Sequence, residues 1–209
     1  MPHTEPSITT VKNAIAAATR ALAGKPDLQV EFTGRNSQDN IIALPALHDI
    51  PPPEALAIIR GQADNAALFI RHHNPETHQQ FRPAQSTTAQ LFDALEEIRI
   101  EALGSVDMQG VKHNLYRCFE LQSMQQILNH SDIPLLEKIK LHARKSIGHS
   151  PIPDFLASAF DKPTSEIKSA LPIFAKMQKH IDSQQEFANL AIELIDVITQ
   201  AARPDGADN

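Results

Sequence analysis

Residues 54–73, EALAIIRGQADNAALFIRHH, decide the fold class. Leu56, Ile59, Ala63, Ala67 and Ile70 recur at helical spacing, so the stretch reads as an amphipathic helix. It follows a proline joint, HDIPPPEA, in which consecutive prolines continue neither a ladder nor a helix while Pro53 can start one. After its terminal histidines, Asn74 and Pro75 supply a fresh cap and first turn for NPETHQQF. Ser86 then opens STTAQLFDALEEIRIEALG, with Leu91, Leu95, Ile98 and Ala102 as the buried stripe and Gly104 as the stop. Further helices are expected over VDMQGVKHNLYRCFELQSMQQILNH and over DIPLLEKIKLHARKSIG, the latter capped by Ser131 or Asp132. PTSEIKSALPIFAKMQKHI carries Pro172, where a kink or break is expected. In SQQEFANLAIELIDVITQAAR, Ser183 and Glu186 have the spacing of a capping box.

On the N-terminal side, SITTVKNAIAAATRALAG places Ile8, Val11, Ile15, Ala18 and Leu22 on one helical face and ends at Gly24. LQVEF and IIALP flank the polar TGRNSQDN, which reads as a small β-hairpin. The expected fold is mainly α, a helical domain with a small N-terminal β-hairpin. Residues 1–130 would hold the helix, hairpin and His/Glu-rich core, residues 131–203 helices packed on it, and residues 204–209 a mobile polar tail.

With 209 residues, 42% of them hydrophobic, the chain can bury a real core. Nineteen Lys and Arg against 25 Asp and Glu give a net charge of −6, without a block of like charge, which disfavours nucleic acid as a partner. Cys118 is the single cysteine and reads as a buried free thiol. The opening MPHTEPSITT lacks the features of a signal peptide, and no apolar run approaches the ~20 residues of a spanning helix, so no membrane partner and a cytoplasmic location are expected.

Two helices are dense in charge. His72, His73 and His78 fall within seven positions, and Asp93, Glu97 and Glu101 run along one face at i, i+4 and i+8, flanked by Glu96 and Arg99. His72 and His73 point about 100° apart on a regular helix, so one ion would not take both, although the break at Asn74 and Pro75 could bring His78 back beside one of them. The carboxylate row reads first as a solvated face, with an interhelical salt-bridge network to arginines on the first of these helices, or a metal or substrate site, as the alternatives. HExxH, paired CxxC, GxSxG, a dinucleotide Gly turn and GxxxxGK[ST] are all absent, which removes the usual basis for zinc-protease, zinc-finger, hydrolase, Rossmann and P-loop chemistry.

The run IRGQADNAALFIRHHNPETHQQFRP followed by LFDALEEIRIEALGSVDMQGVKHNL resembles the N-terminal region of the T subunit of aerobic cobaltochelatase (CobT). The resemblance rests on Arg60, Gly61, Ala63, Asp64, Ala67, Leu68, His73, His78 and Pro83, on Phe92, Asp93, Ala94, Glu96, Arg99, Glu101, Ala102 and Gly104, and on Met108, Gly110, Val111, Asn114 and Leu115. It covers most of the chain, is densest over residues 60–115 and thins after 130. It implies a non-catalytic subunit region of the ATP-dependent complex, a ligase forming nitrogen–metal bonds, that inserts cobalt(II) into hydrogenobyrinic acid a,c-diamide in cobalamin synthesis. The implied partners are an AAA+ subunit, which uses the ATP and Mg, and the large chelating subunit. The chain would then be a docking scaffold within an oligomeric complex, not active alone, with Arg60, Asp64, Asp93, Glu96 and Arg99 as motif or partner-contact residues. Full-length relatives continue through an acidic linker into a von Willebrand factor A domain with a DxSxS motif. This chain has no DxSxS and ends in RPDGADN, so it is expected to represent the N-terminal region or a short version.

A second reading comes from the order of strands, LP, a helix ending in histidines and a helix carrying ExxRxE, which resembles zincin-like metallopeptidases in layout. With Leu68 and Phe69 where the first His and the general-base Glu would stand, protease activity is not expected. What remains is a degenerate metal-binding site for Co or Zn, using His72 or His73, His78 and Glu97 or Glu101, or a plain helical interaction domain.

Overall fold

The computed structural model describes residues 7–34, 40–127 and 133–201. Its described elements are α1 (Ile8–Ala23), β1 (Gln29–Phe32), β2 (Ile41–Leu44), α2 (Pro53–His72), α3 (Pro75–Phe81), α4 (Ser86–Gly104), α5 (Gln109–Ile127) and α6 (Leu135–Gly148). A 3₁₀ turn at Asp154–Leu156 leads to α7 (Ala157–Asp161), α8 (Ser165–Gln178) and α9 (Gln184–Ala201). The fold is mainly α. No described helix is long and apolar enough to cross a membrane. The expected caps Ser131 and Asp132 and the 204–209 tail lie outside the described residues.

The chain forms two compact units, one from residues 1–72 and 108–123, the other from 73–107 and 124–209. In the first, Ser7 caps α1 by accepting from the Thr10 amide, and Gly24 ends it at φ 66°, a left-handed conformation in which a Cβ would be strained. Helix α1 packs on α2. Arg20 donates to the Leu28 carbonyl at 2.7 Å and Arg71 to that of Leu22 at 3.1 Å, so the carbonyls around the end of α1 are satisfied by arginine. Ile15, Leu22, Leu28, Ile42, Leu44 and Leu68 form the apolar interior of this unit.

The two strands correct the hairpin expectation. They are parallel, with Gln29 beside Ile41 and Phe32 beside Leu44. A hairpin needs a short reversal, whereas eight residues separate these strands, and both Gly34 and Asn40 at the ends of that stretch have positive φ. The connection is long enough to return to the starting edge, so alternation along each strand left the pairing direction open.

In the second unit, α4 packs on α6 and α9, α8 on α6 and α9, and α3 on α9. Leu95, Ile98, Ile167, Phe174, Met177, Phe187 and Leu194 are almost wholly buried in its core. Each such side chain contributes about 1.5–3 kcal/mol relative to exposure. Helix α8 continues through Pro172, so the chain does not break there. Pro172 is exposed while Ile173, Phe174 and Met177 face the core, so tertiary packing outweighs the lost backbone hydrogen bond. At the start of α9 half of the expected capping box forms: the Glu186 amide donates to Ser183 Oγ, but the Glu186 carboxylate turns to His180.

Candidate functional site

The charged residues of α3 and α4 converge within the second unit. Asn74 Oδ1 accepts from the Thr77 amide and Pro75 occupies the first turn, which starts α3 afresh and sets His78 on a new helical phase. Gln184 fixes that start from α9, accepting from the Asn74 amide at 2.8 Å and donating to the Asn74 carbonyl at 3.0 Å. His73 Nδ1 then lies 3.0 Å from Glu96 Oε1, and His78 Nε2 lies 2.9 Å from Asp93 Oδ1. A carboxylate only accepts, so each facing ring nitrogen carries the proton. The two imidazoles meet edge to face, 4.8 Å between centroids, with Phe92 against His78.

Two arginines hold the carboxylates. Arg99, 1% exposed, donates through Nε to Glu96 Oε2 at 2.7 Å and through Nη2 to Oε1 at 2.9 Å, and Nη1 reaches the Ile181 carbonyl. Burial alone would push the Glu96 carboxyl up, but the Arg99 guanidinium and His73 outweigh it and hold Glu96 below the ordinary carboxylate range. Arg82 grips both oxygens of Asp93 at 2.7 Å from the surface. That bidentate contact, helped by His78, holds Asp93 low as well.

The remaining sequence candidates divide. Glu101 pairs with Arg144 of α6, and Glu97 also faces Arg144 electrostatically. The carboxylate row therefore forms ion pairs with Arg82 after α3 and with Arg144 of α6, where spacing suggested the arginines of α2. Among the described residues, neither Glu97 nor Glu101 belongs to a group of ligand type with the histidines. His72 closes α2 in the first unit. Among the described residues the one group of ligand type is His73, His78 and Glu96, whose donor atoms all lie within 4.8 Å of one another. Sequence reading joined the histidines to Glu97 or Glu101 and kept Glu96 among the motif residues, because α4 is buried on several faces and spacing alone does not tell which carboxylate turns toward α3.

Arg60 and Asp64 belong to the first unit. Asp64 is 7% exposed and accepts from Asn114 Nδ2 at 2.8 Å. Burial raises its carboxyl, opposed by Asn114 and by the charge of Arg60. Gly61 lies so close to α5 that an added Cβ would stand 2.2 Å from Cys118 Cβ and 2.7 Å from the Asn114 carbonyl oxygen. Beside them an open cleft of about 380 Å³ is lined by Val11, Ile15 and Ala18 of α1 together with Arg60, Asp64 and Asn114. Asn114, Arg82 and Arg144 were the partners sequence spacing did not assign.

The fold and these two clusters define a mainly α protein whose motif charges are tied into its own helices. A family model described as cobalamin biosynthesis protein CobT matches residues 6–208. The chain belongs to the CobT family, which places it in cobalamin biosynthesis with the T subunit of cobaltochelatase. No solved structure matches the chain at a significant level.

Proposed function

We propose that this chain is a non-catalytic scaffold of the ATP-dependent aerobic cobaltochelatase, docking the AAA+ subunit and the large chelating subunit while cobalt(II) enters hydrogenobyrinic acid a,c-diamide. One observation carries this reading: the motif charges are spent on the fold itself. Glu96 is doubly bonded to buried Arg99, and Asp64 is bonded to Asn114 beside the close approach at Gly61. Groups committed in this way set the shape of a rigid body and are poor nucleophiles or proton carriers. ATP and Mg belong to the AAA+ partner in this scheme, and the metal inserted is substrate of the assembled complex.

The test is size-exclusion chromatography with light scattering on the chain mixed with the AAA+ subunit, with and without ATP and magnesium, then with the large subunit added. A co-eluting complex of defined mass supports docking by these residues. Separate elution in every condition removes the scaffold role from this part of the protein.

A further inference from the structure

We infer that His73, His78 and Glu96 form a binding site for one borderline divalent first-row cation of the zinc type, with Asp93 and Arg99 as its positioning residues. The inference is independent of the scaffold reading and rests on the cluster alone. Two imidazoles and one carboxylate are the donor set of three-ligand zinc sites, which keep a fourth position for water. Their donor atoms lie within 4.8 Å of one another. Zinc bonds of about 2.0–2.2 Å set tetrahedral ligand atoms about 3.4 Å apart, so the widest separation closes by about 1.4 Å through side-chain adjustment.

The surroundings are of the kind that orients ligands. His78 donates Nε2–H to Asp93, which keeps the lone pair on Nδ1, and Asp93 is held in turn by Arg82. A carboxylate fixing the far nitrogen of a ligating histidine is the usual outer shell of such sites. Glu96 is oriented by Arg99 through the carboxylate edge, and the second lone pair of Oε1, which accepts from His73 here, is the one released to the cation when the His73 proton moves away. His73 shares its Nδ1 proton with Glu96 in the metal-free state, and on binding that proton moves to Nε2, so the imidazole stays neutral and Nδ1 presents its lone pair to the cation.

Charge decides how tightly the cation is held. Asp93 and Glu96 are balanced by Arg82 and Arg99, so the cation enters a neutral set of charges. Arg82 is the adjustable member: its side chain and that of Asp93 are 37% and 40% exposed, so it can swing into water and leave Asp93 to compensate the cation. Arg99 is 1% exposed and stays on Glu96.

The test is calorimetric titration of zinc chloride into the metal-free 209-residue chain. One equivalent should bind. His73→Ala and His78→Ala should each lower the affinity at least about 100-fold, and Asp93→Asn about 10- to 100-fold, as outer-shell changes do. His180→Ala, which removes a surface histidine paired with Glu186, should leave binding unchanged. Cobalt(II) in place of zinc should give the intense visible bands of a four-coordinate ion. A second measurement needs no variant: in ring-nitrogen NMR of the wild type, one equivalent of zinc should move His73 and His78 and no other histidine. No stoichiometric binding, or shifts confined to other histidines, would overturn the site. Co-elution with the AAA+ subunit is scored separately, so the two readings fail by different results.

Discussion

Gly61→Ala pits helix propensity against packing, and the two have opposite signs. Alanine in place of glycine in the interior of α2 would stabilise an unhindered helix by about 1 kcal/mol. Here its Cβ would meet Cys118 Cβ at 2.2 Å and the Asn114 carbonyl oxygen at 2.7 Å. Neither obstacle is the mobile end of a flexible side chain, so α2 and α5 must separate locally. Overpacking of this kind costs about 1–3 kcal/mol, and backbone obstruction puts this site at the upper end. The expected balance is a destabilisation of about 2 kcal/mol. Urea unfolding followed by far-ultraviolet circular dichroism measures it, provided the m-value is unchanged. Cys118→Gly in the same chain removes the nearer obstacle but leaves the carbonyl oxygen, so a double-mutant cycle should return a coupling of about 1 kcal/mol. A neutral or stabilised Gly61→Ala would refute the close approach and leave propensity as the only effect.

Glu96→Ala strands the Arg99 guanidinium in the core and should cost about 3–5 kcal/mol by denaturant unfolding, whereas Arg82→Ala, at the surface, should leave the unfolding midpoint within error. Pro172→Ala restores an amide donor on the exposed face of α8 and should stabilise the chain by up to about 3 kcal/mol, read as a rise in the thermal midpoint. Ser7→Ala removes the hydroxyl that accepts from Thr10 and should cost about 1 kcal/mol in the same assay. His142 stacks on Phe160 at 4.4 Å and is 3% exposed, and burial pushes its imidazole below the ordinary 6.5. Below that pH the unfolded chain takes a proton the folded chain refuses, so its contribution to stability falls as pH drops from 6.5 and levels once the folded imidazole also titrates. The slope is at most about 1.4 kcal/mol per pH unit, and His142→Leu should remove it from the pH profile of unfolding.

Much of the helical layout was legible because each helix carries its own evidence. Ser7 and Gly24 bracket α1 chemically, Asn74 and Pro75 restart the chain at α3, and the apolar spacing of α2 repeats over about four turns. Those signals are local, set by backbone hydrogen bonding and side-chain periodicity within a few residues. The family was legible for a related reason, since order and spacing survive in a linear reading. Strand direction was not, because alternation along LQVEF and IIALP is the same for parallel and antiparallel pairing.

The site shows the same division. Sequence by itself determined that histidines and carboxylates crowd two successive helices and that His78 follows a break in helical phase. Only the tertiary structure decided that Glu96 meets His73, that Arg144 pairs with Glu101, and that Asp64 is bound by Asn114 fifty positions away. The reason is physical: the face of α4 that turns inward depends on what packs around it, and α4 is covered by α6 and α9, which come from sequence 30 to 100 residues further along.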